Sequence, residues 1–264
     1  MTALEFRERI RTRQRVYGTM ITTAAPIFVN KAKSAGLDFV FIDTEHIMLD
    51  WETIAWMCIA YGASGMPPIV RIPSPDPYIA TRMIDAGAKG LLAPYIETVE
   101  QVKQLRGAVK YRPLKGRKLQ DFLNGKINLT DKELAYCQEY NAENLLFINI
   151  ESVVAVENLE LLLSVPDIDG MIIGPHDLSV SLGHPCEYEH PEFIHAVDII
   201  YKAAVTHGIS VGNHYSFGYE RHIQWCKQGM NIILNSVDAV TFLNYTAKEL
   251  DAIRKGVGDH TIRE

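Results

Sequence analysis

The chain has 264 residues, 47% of them hydrophobic and 22% charged, with a formal net charge of −6. Mild acidity without a block of like charge argues against nucleic acid and anionic membrane as main partners. The composition argues against a disordered or fibrous chain and allows a sizeable core.

The first ten residues carry charge but no apolar core of a secretory signal. No apolar run reaches the roughly 18 residues of a membrane span, so the expected location is the cytoplasm. Cys58, Cys137, Cys186 and Cys226 lie far apart and form no CxxC pair. They read as free thiols, not as a disulfide framework or a zinc knuckle.

In chain order, the apolar run Val16–Ile21 predicts a first strand, and Pro26–Ser34 a helix ending before Gly36. Phe39–Asp43 predicts the second strand and Asp50–Ala63 a helix with Asp50 as its N-cap. Ile69–Arg71 follows, then Ser74-Pro75-Asp76-Pro77 opens the helix Pro77–Ala86, closed by Gly87. Gly90–Ala93 is the fourth strand and Val99–Val109 the next helix. Lys110–Asn128 reads as a long irregular loop, which in a compact domain is functional or mobile. Leu145–Glu151, the helix Ala155–Leu163 and the strand Gly170–Gly174 come next. The last units are Pro191–His207 closed by Gly208, the strand Ser210–Asn213, Tyr219–Gln228 closed by Gly229, the strand Ile232–Asn235 and Ala239–Arg254.

The strands show little polar alternation, as expected of parallel strands buried on both faces. Eight βα units point to a single (β/α)8 barrel spanning residues 1–264, with a doubly wound open sheet as the alternative. No GxGxxG follows the first strand, which weakens a dinucleotide reading.

A barrel of this type carries its active site at the C-terminal ends of its strands. The polar residues there are Asp43, Thr44, Glu45 and His46, then Arg71, then Asn149 and Glu151. His176 and Asp177, Asn213 and His214, and Asn235, Ser236 and Asp238 complete the set. Glu151 and Asp177 offer oxygen ligands to Mg²⁺ or a similar hard ion. Arg71 can hold a carboxylate or steady a developing enolate charge. His46 beside Asp43 suggests a base with an orienting carboxylate. The N–H groups of His176 and Asp177, at a strand-to-helix turn, suit an anion. The bland alternatives stay open for each residue taken singly. Asp177 can be a helix cap, Glu151 a lysine partner, His46 a loop residue and Arg71 the counter-charge of Asp43 or Glu45.

Phe39-Val40-Phe41-Ile42-Asp43-Thr44-Glu45-His46 resembles the DxEH segment of the HpcH/HpaI aldolases, metal-dependent class II enzymes acting on 2-keto-3-deoxy acids. Val70-Arg71-Ile72-Pro73 with Asp76-Pro77, the stretch Asp85–Pro94, Ile150-Glu151 and Gly174–Ser179 resemble further family segments in order. The resemblance implies a barrel whose last helix swaps between subunits of a hexamer. It implies a lyase that cleaves a 4-hydroxy-2-oxo acid to pyruvate and an aldehyde. Glu151 and Asp177 would bind a divalent metal (Mg²⁺, Mn²⁺ or Co²⁺), Arg71 would steady the enolate, and His46, oriented by Asp43, would move protons. The partners implied are a small keto acid and an aldehyde.

The chain departs from the family pattern at three substrate-facing positions. Asn149 stands where Gln is usual, His176 where a small residue is usual, and Met20 where some members carry an aromatic. The segment from Lys118 to Asn128 matches poorly and is expected to border the pocket entrance. Three other readings remain: an oxaloacetate decarboxylase, an acyl-CoA lyase using Arg112, Lys115, Arg117 and Lys118 as a basic path, and a catalytically silent keto-acid-binding barrel.

Overall fold

Eight parallel strands pair in sequence order and close on themselves, β8 returning to β1. They are β1 Val16–Met20, β2 Phe39–Asp43, β3 Pro68–Arg71, β4 Gly90–Ala93, β5 Leu145–Ile150, β6 Gly170–Ile173, β7 Ser210–Tyr215 and β8 Ile232–Val237. All eight expected strands are present, their ends moved by at most two residues, and the open-sheet alternative is excluded. The computed structural model describes residues 1–216 and 218–259, so positions 260–264 of the expected domain lie outside the described residues.

The helices are α1 Ala3–Arg11, α2 Ile27–Ser34, α3 Trp51–Ala63, α4 Pro77–Asp85, α5 Val99–Lys110, α6 Gly116–Leu123 and α7 Asp131–Tyr140. Then come α8 Val153–Glu157, α9 Leu159–Leu163, α10 Pro175–Ser181, α11 Pro191–Thr206, α12 Tyr219–Gln228 and α13 Asp238–Val257. The expected start signals operate. Asp50 accepts from the Thr53 N–H, and Asp76 from those of Tyr78 and Ile79. Gly36, Gly87, Gly208 and Gly229 all have positive φ just past helix ends.

Several elements depart from expectation. The helix read as Ala155–Leu163 is two short helices that meet at Asn158. The segment read as an irregular loop contains α6 and is followed by α7. Pro113, Gly116 and Gly125 disguised α6, whereas α7 carries a capping box, Thr130 with Glu133, visible in the sequence. A second capping box, Thr2 with Glu5, starts α1.

That segment also sits at the other end of the barrel from the one expected. Lys110 donates to the Asn144 carbonyl and pairs with Asp169, both just before strands β5 and β6 begin. Lys110–Asn128 therefore lies at the N-terminal end and does not border the entrance. Arg112 pairs with Asp85, Arg117 with Asp121 and Lys118 with Glu133, so three of the four residues of the expected basic path are already matched to acids.

Two apolar regions hold the fold. One lies between strands and helices. The other fills the barrel interior with Val16, Phe39, Phe41, Ile69, Leu145, Phe147 and Ile232. Helix α1 plugs the N-terminal mouth: Phe6 is buried against Phe39, ring centroids 5.3 Å apart, and the Ile10 carbonyl accepts from Ser210 and Asn231. With that end sealed by hydrocarbon, the interior positions at the C-terminal end are left to polar side chains. The four cysteines are free. Among the described residues no helix is long and apolar enough to cross a membrane.

Closure between β7 and β8 depends on Gly212. A Cβ there would lie 2.3 Å from the Ile232 carbonyl oxygen, so backbone would have to move. Gly212→Ala is expected to destabilise the fold by about 3 kcal/mol, measured by urea unfolding. An unchanged midpoint would show that the seam is looser than its packing implies.

Candidate active site

A cavity of about 460 Å³ opens at the C-terminal end of the barrel, lined by Met20, Asp43, His46, Arg71, Asn149, His176, Asp177, Tyr188 and His214 among others. The strands explain the grouping. Asp43 ends β2 and Arg71 ends β3, and the two residues are paired in register. Side chains alternate along a strand, so both point into the barrel at the same height.

Arg71 grips Asp43 with two parallel hydrogen bonds, Nε to Oδ1 and Nη2 to Oδ2, each 2.8 Å. Both side chains are buried. Burial alone would raise the Asp43 carboxyl. The hydrogen bonds and charge of Arg71, with the Glu45 N–H, outweigh it and hold the group below the ordinary carboxylate range. Burial likewise acts to lower Arg71, and Asp43, Glu45 and Glu151 together outweigh it and raise the guanidinium. Glu45 supplies a second carboxylate to Arg71 at 3.1 Å.

This arrangement alters the expected relation of Asp43 to His46. Both Asp43 oxygens are committed to Arg71. The carboxylate beside the His46 imidazole is that of Glu45, 3.7 Å from Nε2, and His46 is otherwise exposed.

Glu151 follows β5 and turns into the barrel mouth. One oxygen accepts from the Tyr95 N–H at 2.8 Å and the other from Asn149 Nδ2 at 2.6 Å. Gly174 leaves the room for it, because a Cβ there would lie 2.8 Å from Glu151 Oε2. Burial raises the Glu151 carboxyl, and the charges of Asp177 and Glu45 raise it further against those two hydrogen bonds. Asp177 stands on the first turn of α10. The cap residue of that helix is Gly174, with no side-chain cap, so Asp177 is not spent on capping. Asn149 Oδ1 is buried beside Glu151 without a hydrogen-bond partner. Two carboxylates, one of them raised by burial, and an orphaned amide oxygen form a hard oxygen donor set short of positive charge. The residues present fit a divalent cation.

Four further residues complete the site. Tyr95, in the positive-φ region at 54°, brings its N–H to Glu151. Its hydroxyl is pushed up to about 12 by the hydrogen bond and charge of Glu45. Nothing in the sequence flags that φ, although Pro94-Tyr95 directly follows β4. His214 points inward from β7, its Nε2 3.3 Å from the Ser236 carbonyl. A carbonyl only accepts, so Nε2 carries the proton. Burial, then the Arg71 charge, push the imidazole down to about 4. Opposite, His176 Nδ1 lies 3.5 Å from Cys186 Sγ. Met20 forms part of the pocket floor and is nearly buried.

A buried arginine among carboxylates at the open end of a (β/α)8 barrel is a centre suited to binding a negatively charged group. Residues 17–244 match the family of HpcH/HpaI aldolases and citrate lyases, and the chain belongs to that family. It is an enzyme of the aldolase and lyase class. A 5-keto-4-deoxy-D-glucarate aldolase of Klebsiella pneumoniae is 29% identical over 253 residues, covering 95% of this chain and 97% of that protein. The crystal structure of an HpcH/HpaI aldolase from Desulfitobacterium hafniense superposes with a TM-score of 0.81 at 28% identity, covering 94% and 95% of the two chains. A citrate lyase beta subunit from Mycobacterium tuberculosis, solved with oxaloacetate and magnesium, shares the fold with a TM-score of 0.55 at 16% identity, over 86% of this chain and 93% of that one.

The depressed His214 value makes a pH prediction. Its folded pKa of about 4 lies below the ordinary 6.5, so between those values the unfolded chain binds more protons. Stability present above about pH 6.5 is therefore lost as pH falls towards 4, by up to about 3 kcal/mol. His214→Asn should show a smaller loss of urea midpoint between about pH 7 and pH 5 than the parent. Equal losses would rule out His214 as the source.

Proposed function

We propose that this protein cleaves a 4-hydroxy-2-oxo acid of the keto-deoxy sugar acid type to pyruvate and an aldehyde, with a divalent metal held by Glu151 and Asp177. The observation that carries this reading is Arg71 set among Asp43, Glu45 and Glu151 in the barrel mouth. Two of its N–H groups are committed to Asp43, which leaves others to meet an anionic substrate oxygen. When bound, the metal acts as a Lewis acid towards the substrate's keto and carboxylate oxygens.

The protein's own part follows from its geometry. Arg71 holds the developing oxyanion and is aimed in advance by the Asp43 fork, so little reorganisation is needed as charge forms. His46, next to Glu45 and open to water, takes the proton from the 4-hydroxyl through a water as the carbon–carbon bond breaks. The N–H groups of His176 and Asp177 in the first turn of α10 receive the substrate carboxylate. Asn149 fixes one Glu151 oxygen. Met20 and His176 face the aldehyde portion. Asp43 acts through Arg71, not through His46.

Relatives named as 5-keto-4-deoxy-D-glucarate aldolases make that compound the first to assay. Oxaloacetate, whose decarboxylation develops the same enolate charge, is the second. Four free thiols favour a reducing cytoplasm. Helix α13 has no buried residue, and Phe242, Leu243 and Tyr245 are 73%, 52% and 66% exposed. An apolar face of that kind favours a homo-oligomer, with a hexamer and an exchanged last helix as the arrangement proposed.

Chelator-treated protein should release no pyruvate from 5-keto-4-deoxy-D-glucarate, and Mg²⁺, Mn²⁺ or Co²⁺ should restore release. No turnover by the metal-loaded protein across a broad 4-hydroxy-2-oxo acid panel would overturn the reading. Arg71→Lys keeps the charge and loses the fork, and should lower kcat by roughly 100-fold or more. Light scattering should give a mass several times the 29.7 kDa of one chain, and a monomer would refute the assembly.

A further inference from the structure

Segment 183–190 joins α10 to α11 and lends Tyr188 to the pocket wall. Its two outer histidines, His184 and His190, stack face to face, with ring centroids 3.4 Å apart and planes inclined by 20°. Glu192, in the first turn of α11, lies with Oε2 3.3 Å from His184 Nε2. One donor atom from each of the three lies within 4.8 Å of the other two. Among the described residues, no other group of three His, Cys, Asp or Glu is so arranged. We propose that His184, His190 and Glu192 form a second cation site, separate from Glu151 and Asp177, for a borderline-soft divalent ion of the Zn²⁺ class.

The donor types select the ion. Two imidazole nitrogens and one carboxylate oxygen suit a four-coordinate Zn²⁺ with water in the last position, and suit Mg²⁺ poorly, which prefers oxygen ligands. The scaffold is already ordered. The His184 N–H donates to the Ser179 carbonyl at 2.8 Å, Glu187 N–H to His184 at 3.1 Å and His190 N–H to Glu187 at 2.9 Å. Little chain entropy is left to lose on binding.

Three terms oppose the ion. The lone pairs of the stacked imidazoles lie in nearly parallel ring planes and do not converge, so one ring must turn out of the stack to coordinate. His190 Nδ1 accepts the Glu192 N–H at 3.3 Å. A neutral imidazole has one ring lone pair, so coordination gives up that long cap bond. The positive end of the α11 dipole also disfavours a cation, and the Glu192 carboxylate offsets it. Glu192 is therefore the ligand on which the site depends most. A bound ion ties the two ends of the segment whose middle sets Cys186 against His176 and Tyr188 into the pocket.

The test is Zn²⁺ equilibrium dialysis of the full chain in two backgrounds, the parent and Glu151→Gln/Asp177→Asn. The second background should keep one Zn²⁺ equivalent. Adding His184→Ala/Glu192→Gln should remove it or weaken it by at least roughly tenfold. His190→Ser, which retains a capping side chain for α11, should weaken it too and guards against misfolding of the double variant. Unchanged Zn²⁺ affinity in both variants would overturn the site. Loss of the other equivalent in Glu151→Gln/Asp177→Asn reports on the barrel mouth alone, so the two readings fail independently. His184→Ala/Glu192→Gln is expected to keep the parent's Mg²⁺-supported activity.

Discussion

Arg71 and Asp43 face each other, both largely buried at the floor of the open cavity, and each needs the other. A lone buried charge costs several kcal/mol, and the pair recovers that cost only with good geometry. The two 2.8 Å bonds of the fork provide it. The fork in turn requires β2 and β3 to end at one level, which the pairing of Asp43 with Arg71 ensures. Plugging of the opposite mouth by Phe6 and Ile10 keeps that level fixed, because an apolar interior has no alternative place for either charge.

The charge balance above this pair explains the rest of the site. Asp43, Glu45 and Glu151 surround one guanidinium, and Asp177 adds its charge beside Glu151. Asp43 is satisfied and held low, whereas Glu151 is raised by its burial and by its acidic neighbours. The same chemical group is pushed in opposite directions within one pocket, and the difference is access to Arg71. The excess of acid over Arg71 fits the divalent cation proposed for this site.

Asn149, His176 and Met20, the positions expected to differ from the family pattern, all line the cavity. Asn149 is short, reaches Glu151 at 2.6 Å and leaves its own oxygen buried without a partner. His176 contacts Cys186, a non-glycine residue at φ 63°. His214 brings an uncharged imidazole beside Arg71, where a charged one would compete for the same anionic ligand.

Hydrophobic periodicity was enough to determine the eight strands, most of the helices and the end of the barrel that carries polar residues. A buried parallel strand must be apolar throughout, and its first polar residue marks where the barrel opens. Asp43, Arg71, Asn149, Glu151, His176 and Asp177 were all legible in this way. The strand-end pattern could not say which carboxylate meets which base. Asp43 and His46 are three residues apart in the chain, yet Asp43 turns inward to Arg71 and His46 is left beside Glu45. It could not place Lys110–Asn128 at the far end of the barrel, since that depends on long-range bonds to Asn144 and Asp169. Nor could it find Tyr95, whose role rests on a backbone angle, or the His184–His190–Glu192 group, which exists only because the chain folds back at the start of α11. Local pattern decides which residues are buried and where strands end. Only the tertiary structure decides partners, because charge pairing depends on distances between residues that the chain brings together from different elements.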